Sequence, residues 1–123
     1  MTRDDPSLRV LHVVAGPRDL GGARKFMRWF AHLFSQDCDL IYGAFEFEVV
    51  LKGALEMYQE EDLPELAREL DDLLCEVRES ASSEAERREA YWFSLGAQWW
   101  PADLALSDGL GRVKAAIAER LSR

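Results

Sequence analysis

Apolar residues recur along most of the chain at intervals of three and four, the spacing that places side chains on one face of a helix. Four such stripes begin near Phe26, Phe47, Leu63 and Leu110. Residues 45–49 also alternate between apolar and acidic side chains as a strand would, but the longer window fits the helical period better. The stripe residues are Phe26, Met27, Phe30, Leu33, Phe34, Phe47, Val50, Leu51, Ala54, Leu55, Tyr58, Leu63, Leu66, Ala67, Leu70, Leu73, Leu74, Val77, Leu110, Val113, Ile117 and Leu121.

Polar residues near the ends of these stripes predict where helices begin and end. Asp62 and Glu65 have the spacing of a capping box, in which two side chains satisfy free backbone amides of the first helical turn. Ser83 and Glu86 repeat that spacing. The second box opens a helix that Gly96 is suited to end, because glycine tolerates the left-handed conformation found after many helices.

The first 21 residues lack the helical period. Residues 8–14 are apolar and rich in β-branched side chains, which predicts a short strand without an obvious partner. Near the other end of the chain, Ser107 is placed to cap the last helix. Together the patterns predict a mainly all-α fold, a compact bundle of about five helices over residues 22–123, preceded by an extended or loosely attached segment at residues 1–21.

Composition and charge narrow the class of partner. The chain has 123 residues, the usual length of a single domain. Hydrophobic residues make up 48% of them, enough to fill a core. Residues 37–79 contain fourteen acidic and three basic residues, so the negative charge of the chain, −8 in all, is concentrated in this segment. An acidic field repels nucleic acid and anionic membranes and attracts basic partners, although it can also serve solubility alone.

Cysteine use and hydropathy indicate the compartment. Cys38 and Cys75 are far apart in sequence and belong to no CxxC motif, which favours a reducing environment over a disulfide framework. The apolar run at residues 8–15 contains Arg9 and His12, which is unlike a secretion signal. No run approaches the ~18 apolar residues of a membrane span. We therefore expect a cytoplasmic protein with no membrane partner.

The side chains that catalysis requires are present but not grouped. Residues 16–23 have the glycine spacing of a phosphate loop, yet glycine and alanine stand where that loop has lysine and serine or threonine. Residues 11–23 also resemble the opening of nucleotide-sugar glycosyltransferases, but those enzymes need two doubly wound domains, which 123 residues cannot hold. His12 and His32 are too far apart in sequence for metal-ligand spacing. The sequence therefore predicts no catalytic, cofactor or metal site, and no enzymatic activity.

The most distinctive stretch, residues 29–43, is an aromatic helix end followed by Gln-Asp, then Asp-Leu, then Tyr-Gly. It resembles the signature of immunity proteins from contact-dependent growth-inhibition and related polymorphic-toxin systems. The matching residues are Phe34, Gln36, Asp37, Asp39, Leu40, Tyr42 and Gly43. Cys38 departs from the pattern, because tryptophan is usual there. The order of the later helices also follows the family, so the resemblance covers roughly residues 26–121.

The resemblance implies a protein that binds a cognate toxin domain and neutralises it by masking its active surface. A nuclease toxin would present a basic face, which the acidic segment at residues 37–79 would complement. The implied partner is a protein alone, with no cofactor and no nucleic acid, and the free chain is expected to be a monomer or weak dimer. A helical adaptor or regulatory module that binds a basic host protein is the alternative.

The candidate toxin-binding residues combine the motif, the acidic segment and a tryptophan pair. Asp37 and Asp39 can also be explained as caps at a helix corner, and two adjacent tryptophans can equally fill a core. The acidic residues are expected to steer a basic partner at long range. The candidates are Gln36, Asp37, Asp39, Tyr42, Glu46, Glu60, Glu61, Asp71, Asp72, Trp99 and Trp100.

Overall fold

The computed structural model of the chain describes residues 17, 20–37, 43 and 46–122. These residues form five α-helices and two short 3₁₀ turns, and they contain no β-strand. The helices are α1 (Lys25–His32), α2 (Phe47–Glu56), α3 (Leu63–Glu79), α4 (Glu84–Tyr91) and α5 (Leu106–Leu121), and the 3₁₀ turns are Glu60–Asp62 and Phe93–Leu95. The predicted all-α bundle of about five helices is confirmed, whereas the strand predicted over residues 8–14 lies outside the described residues.

Helix α3 is the centre of the bundle and packs against both α5 and α1. Its buried side chains share one face, because Leu66, Leu70 and Leu73 recur at helical spacing. Each leucine removed from water in this way contributes about 1.5–3 kcal/mol. All the stripe residues are buried except Ala67, which is partly buried, and Leu121, which is exposed. The hydrophobic period therefore identified the core.

An aromatic cluster, made of Phe34, Phe47, Trp92, Trp99 and Trp100, joins segments that are distant in the chain. The ring centroid of Phe34 lies 6.1 Å from that of Phe47 and 5.0 Å from that of Trp92. Trp100 lies 5.0 Å from Trp92 and 5.3 Å from Phe47. The cluster therefore fixes the end of α1, the start of α2 and the chain after α4 relative to one another.

The predicted boundaries of the fourth helix are confirmed at its start and at its final stop. The Ser83 hydroxyl accepts a hydrogen bond from the Glu86 amide, and the Glu86 carboxylate accepts one from the Ser83 amide. Gly96 ends the segment with a φ of 113°, a left-handed value that favours glycine. The sequence predicted one helix toward Leu95, but Trp92 breaks it into α4 and the following 3₁₀ turn.

Two other predicted caps are wrong. Asp62 has helical backbone angles and caps nothing with its side chain, because a 3₁₀ turn runs directly into α3. Glu65, predicted to complete that box, pairs with Arg68. Helix α5 begins at Leu106, so Ser107 already lies inside the first turn, and the carboxylate that accepts the Leu106 N–H comes from α4.

The chain just before α1 is tied to that helix and to the core. Leu20 packs partly buried against the core, and the Arg28 side chain donates hydrogen bonds to the carbonyls of Gly21 and Ala23. The predicted boundary between residues 1–21 and 22–123 stays a prediction. Among the described residues, no helix combines the length and apolar character needed to cross a membrane.

Candidate protein-binding surface

Gln98 binds the described residues just after α1, which belong to the stretch that carries the family resemblance. The backbone N–H of Gln98 donates to the Phe34 carbonyl at 2.9 Å. The side-chain oxygen of Gln98 accepts a hydrogen bond from the backbone N–H of Gln36 at 3.1 Å. The Asp37 amide donates to the Ser35 hydroxyl at 3.2 Å. Backbone contacts therefore order the segment, leaving the Gln36 side chain exposed and that of Asp37 half-buried.

Trp99 lies beside this segment, half-buried at the edge of the aromatic cluster. Its ring is stacked on Phe34, with 6.0 Å between centroids and 19° between planes. Its carbonyl accepts a hydrogen bond from the Trp92 indole at 3.0 Å. A tryptophan held in this way presents an ordered apolar face, the kind of group that often anchors a protein interface.

Trp100 is a core residue, so the candidate surface does not include it. Its side chain is buried, and its indole N–H donates to the Leu104 carbonyl at 2.8 Å. The six-membered part of the ring lies directly over Gly109 of α5, with no room for a β-carbon there. The tryptophan pair is therefore divided between the core and the edge of the surface.

Glu46 precedes α2 and is exposed at the rim of an open cleft of about 320 Å³. The start of α2, the loop before α5 and one side chain of α5 form this cleft. It is lined by Glu46, Phe47, Pro101, Asp103, Leu104 and Arg112. Because Phe47 also packs against Phe34, the cleft and the Gln36–Asp37 segment flank the same aromatic cluster.

The charges around the cleft are only partly balanced. Arg112 pairs with Glu48 at 3.5 Å, with both side chains more than half exposed. Among the described residues, the carboxylates of Glu46 and Asp103 have neither an ion-pair partner nor a hydrogen-bond donor. Three carboxylates therefore surround one guanidinium at this position, and the local field is negative.

A half-buried ion pair of α4 supports the wall of the cleft. The Glu84 carboxylate accepts from the Arg88 guanidinium at 2.9 Å and from the Leu106 amide at 2.8 Å. Arg88 also donates to the carbonyls of Leu104, at 2.7 Å, and Ala102, at 3.3 Å. The i, i+4 spacing of Glu84 and Arg88 was visible in the sequence, but their long-range contacts were not.

The remaining acidic candidates lie elsewhere on the molecule. Glu60 and Glu61 follow α2, whereas Glu46 precedes it, and a ten-residue helix is about 15 Å long. Asp71 and Asp72 are exposed on α3, and Asp71 pairs with Lys114 of α5 at 2.8 Å. The acidic candidates therefore fall into three separate groups. Two further candidates, Asp39 and Tyr42, lie outside the described residues.

His32 lies at the end of α1, with its ring against Gly96. A β-carbon at position 96 would lie 2.7 Å from two ring atoms of His32. Partial burial lowers the pKa of His32, and the nearby Arg28 charge lowers it further. Both effects favour the neutral imidazole in the folded protein.

Five groups therefore lie on the segments that the aromatic cluster joins, at the end of α1, the start of α2 and the chain after α4, and we call them the acidic corner: Gln36, Asp37, Glu46, Trp99 and Asp103. Asp103 was not among the sequence candidates, because nothing in its local sequence indicates that it faces Glu46 across a cleft. The corner combines an aromatic group with polar and acidic groups, and many protein interfaces have an aromatic anchor within a polar rim. Comparison with protein-family models, curated proteins and solved structures finds no match.

Proposed function

We propose that this chain is an immunity protein that binds a cognate toxin domain and neutralises it by masking the toxin's active surface. The observation that carries the proposal is the acidic corner. There, the Gln36–Asp37 segment, part of the stretch that carries the family resemblance, lies beside the half-buried Trp99. The same aromatic cluster borders a cleft lined by two acidic residues without partners among the described residues. An ordered tryptophan with a polar rim is the usual composition of an energetically important interface patch.

The size of the molecule limits what one partner can cover. A stable interface of ordinary size buries roughly 800 Å² on each partner. That is about a ninth of the 7209 Å² of accessible surface. Such a footprint is large enough to include the acidic corner. In this proposal the corner makes the close contacts, while Glu60, Glu61, Asp71 and Asp72 attract a basic toxin at long range.

The proposed partner is a basic protein domain, and a nuclease fits best because its nucleic-acid-binding face must be positive. The protein acts in the cytoplasm, as a monomer or weak dimer until it meets the toxin. It is not an enzyme in this proposal, so one molecule protects against one toxin. Rapid association is important, because each free toxin molecule acts until it is bound.

Growth rescue tests the proposal. The toxin domain encoded beside this chain is expressed from an inducible promoter, with and without the chain, and growth is followed. We expect the chain to restore growth, and a variant with Asp37→Lys and Glu46→Lys to restore it less. The matched variant carries Glu60→Lys and Glu61→Lys, with the same change of charge at the far end of α2. Soluble chain without any recovery of growth would contradict the immunity function and leave the adaptor alternative.

A further inference from the structure

Side chains determine the path of the chain where it leaves α1. The backbone N–H of Phe34 still donates to a carbonyl of α1, at 3.0 Å. Beyond this point, the backbone N–H of Asp37 donates to the Ser35 hydroxyl, and that of Gln36 donates to the side-chain oxygen of Gln98. The position of Gln36 and Asp37 therefore depends on one local side chain and on one that is 62 residues away in the chain.

The backbone of Gln98 is itself fixed on both sides. The Ala97 side chain is buried, and the Trp99 ring is stacked on Phe34. The backbone N–H of Gln98 also donates to the Phe34 carbonyl at 2.9 Å. The Gln98 side chain therefore starts from a fixed point, and its contact with the backbone N–H of Gln36 links the loop after α4 to the chain after α1.

This side-chain contact is placed to affect binding more than folding. Gln36 and Gln98 are both exposed, and a hydrogen bond that exchanges with water contributes little to the free energy of unfolding. The contact joins the residue before Trp99 to the residue before Asp37, and both of these groups belong to the acidic corner. A segment that is ordered before binding loses less conformational freedom when it binds, and its affinity is higher for that reason.

We infer that Gln98 is a positioning residue for toxin binding. Its side-chain oxygen holds the backbone of Gln36 and so keeps the Gln36–Asp37 segment beside Trp99 before the toxin arrives. Gln98 acts through this segment, and the attraction for the toxin comes from the acidic corner. This role rests on the proposed function, because the contact affects binding only if the corner meets the toxin.

Substitution of the acceptor tests this role in the full chain. Gln98→Met removes the side-chain oxygen but keeps the length of the side chain and the backbone bond to Phe34. Gln98→Glu keeps an oxygen that can accept from the backbone N–H of Gln36. Gln59→Met is the matched control, because Gln59 is also exposed and its side chain caps no amide.

Two measurements separate the contact from its effect on binding. Hydrogen exchange of the Gln36 backbone amide, followed by NMR in the free chain, reports the contact without any toxin. The dissociation constant for the purified toxin domain encoded beside the chain reports binding, and surface plasmon resonance measures it. Binding is measured for Gln98→Met both alone and together with Asp37→Ala, which removes a side chain of the positioned segment.

We expect Gln98→Met to speed exchange of the Gln36 backbone amide about five-fold, and Gln98→Glu to exchange as slowly as the parent. Gln98→Met should also weaken toxin binding about five-fold, but less than about two-fold when Asp37 is already alanine. The effect shrinks in that background because the side chain that Gln98 positions is gone. Gln59→Met should change neither measurement.

Unchanged exchange in Gln98→Met would show that the contact does not hold Gln36, and unchanged toxin binding would show that it has no part in recognition. Equal weakening with and without Asp37→Ala would show that Gln98 does not act through the segment. Each of these results overturns the positioning role while the proposed function stands. A parent chain that does not bind the toxin contradicts the proposed function, and the positioning role with it.

Discussion

Gly109 is the residue of α5 on which Trp100 rests, and its lack of a side chain is required there. A β-carbon at this position would overlap the Trp100 ring and lie 3.0 Å from Leu104 Cδ2. Both Trp100 and Leu104 belong to the loop that forms the cleft. A glycine that is unfavourable for a helix is therefore retained because it allows the loop to pack closely.

Replacement of this glycine by alanine should destabilise the protein. The gain in helix propensity is at most about 1 kcal/mol, whereas overpacking costs typically 1–3 kcal/mol. We expect Gly109→Ala to lower the free energy of unfolding, measured by urea denaturation. Gly111→Ala is the matched control in the same helix, since no atom lies within 4 Å of its added carbon. It should stabilise the protein, and equal effects of the two substitutions would contradict the packing described here.

His32 gives the stability a dependence on pH. Its pKa is lowered in the folded state, first by burial and then by Arg28, so folding favours the neutral ring. Its contribution is complete above the unfolded pKa of about 6.5 and is lost as pH falls through the lower folded pKa. We expect the free energy of unfolding to fall from pH 7.5 to 5.5, and to fall less in His32→Gln. An unchanged pH dependence in that variant would show that other groups are responsible.

At the scale of elements, the ion pair of α4 organises the start of α5. The Glu84 carboxylate satisfies the Leu106 amide while it also binds Arg88, which in turn holds the loop at Leu104. The first amides of a helix have no partner within the helix, and a side-chain cap contributes about 1 kcal/mol. A residue of one helix thus caps another.

Loss of this charge should weaken both contacts. We expect Glu84→Gln to lower the free energy of unfolding by about 1–2 kcal/mol, because an amide is a poorer acceptor for a cation and for the Leu106 N–H. Glu89→Gln, an exposed change in the same helix, is the control and should have an effect below about 0.5 kcal/mol. Urea denaturation of both variants provides the comparison. Equal destabilisation by the two substitutions would show that the Glu84 contacts do not contribute to the free energy of unfolding.

The sequence predicted the helices and the core well, because both follow from the spacing of apolar residues, which can be read within each short segment of the chain. The Ser83 box and the Gly96 stop were predictable for the same reason. Ser107 was assigned as a cap wrongly, since the actual acceptor at Leu106 is a carboxylate 22 residues earlier in the chain. Contacts over such distances determine the cleft as well, and therefore the placement of Glu46 and Asp103 at the same cleft needed the structure.

Across the whole molecule, the acidic residues lie in separate groups, before α2, after α2 and on α3. Of the three groups, the one before α2 adjoins the aromatic cluster and the cleft. The charges at the far end of α2 are separated from Glu46 by a helix about 15 Å long. This length exceeds the Debye length of about 8 Å at physiological ionic strength, so the charges of Glu60 and Glu61 act only weakly at Glu46.

The two ends of α2 should therefore affect different rate constants. With Asp37→Lys and Glu46→Lys, we expect toxin dissociation to become at least about ten-fold faster, because close pairs at the interface are replaced by repulsion. With Glu60→Lys and Glu61→Lys, the dissociation rate constant should not change, and the association rate constant should fall mainly at low salt. Surface plasmon resonance at several salt concentrations measures both constants. Equal changes in the dissociation rate constant for the two variants would show that the acidic corner does not make the close contacts with the toxin.

We propose that the chain inhibits a toxin by stoichiometric binding, and a titration of the purified toxin domain measures that stoichiometry. The activity of a fixed amount of the neighbouring toxin is measured against increasing amounts of chain. We expect a linear loss of activity that ends at one equivalent of chain, whereas the Asp37→Lys and Glu46→Lys variant should require an excess. Full toxin activity in the presence of many equivalents of folded chain, or complete inhibition far below one equivalent, would contradict it.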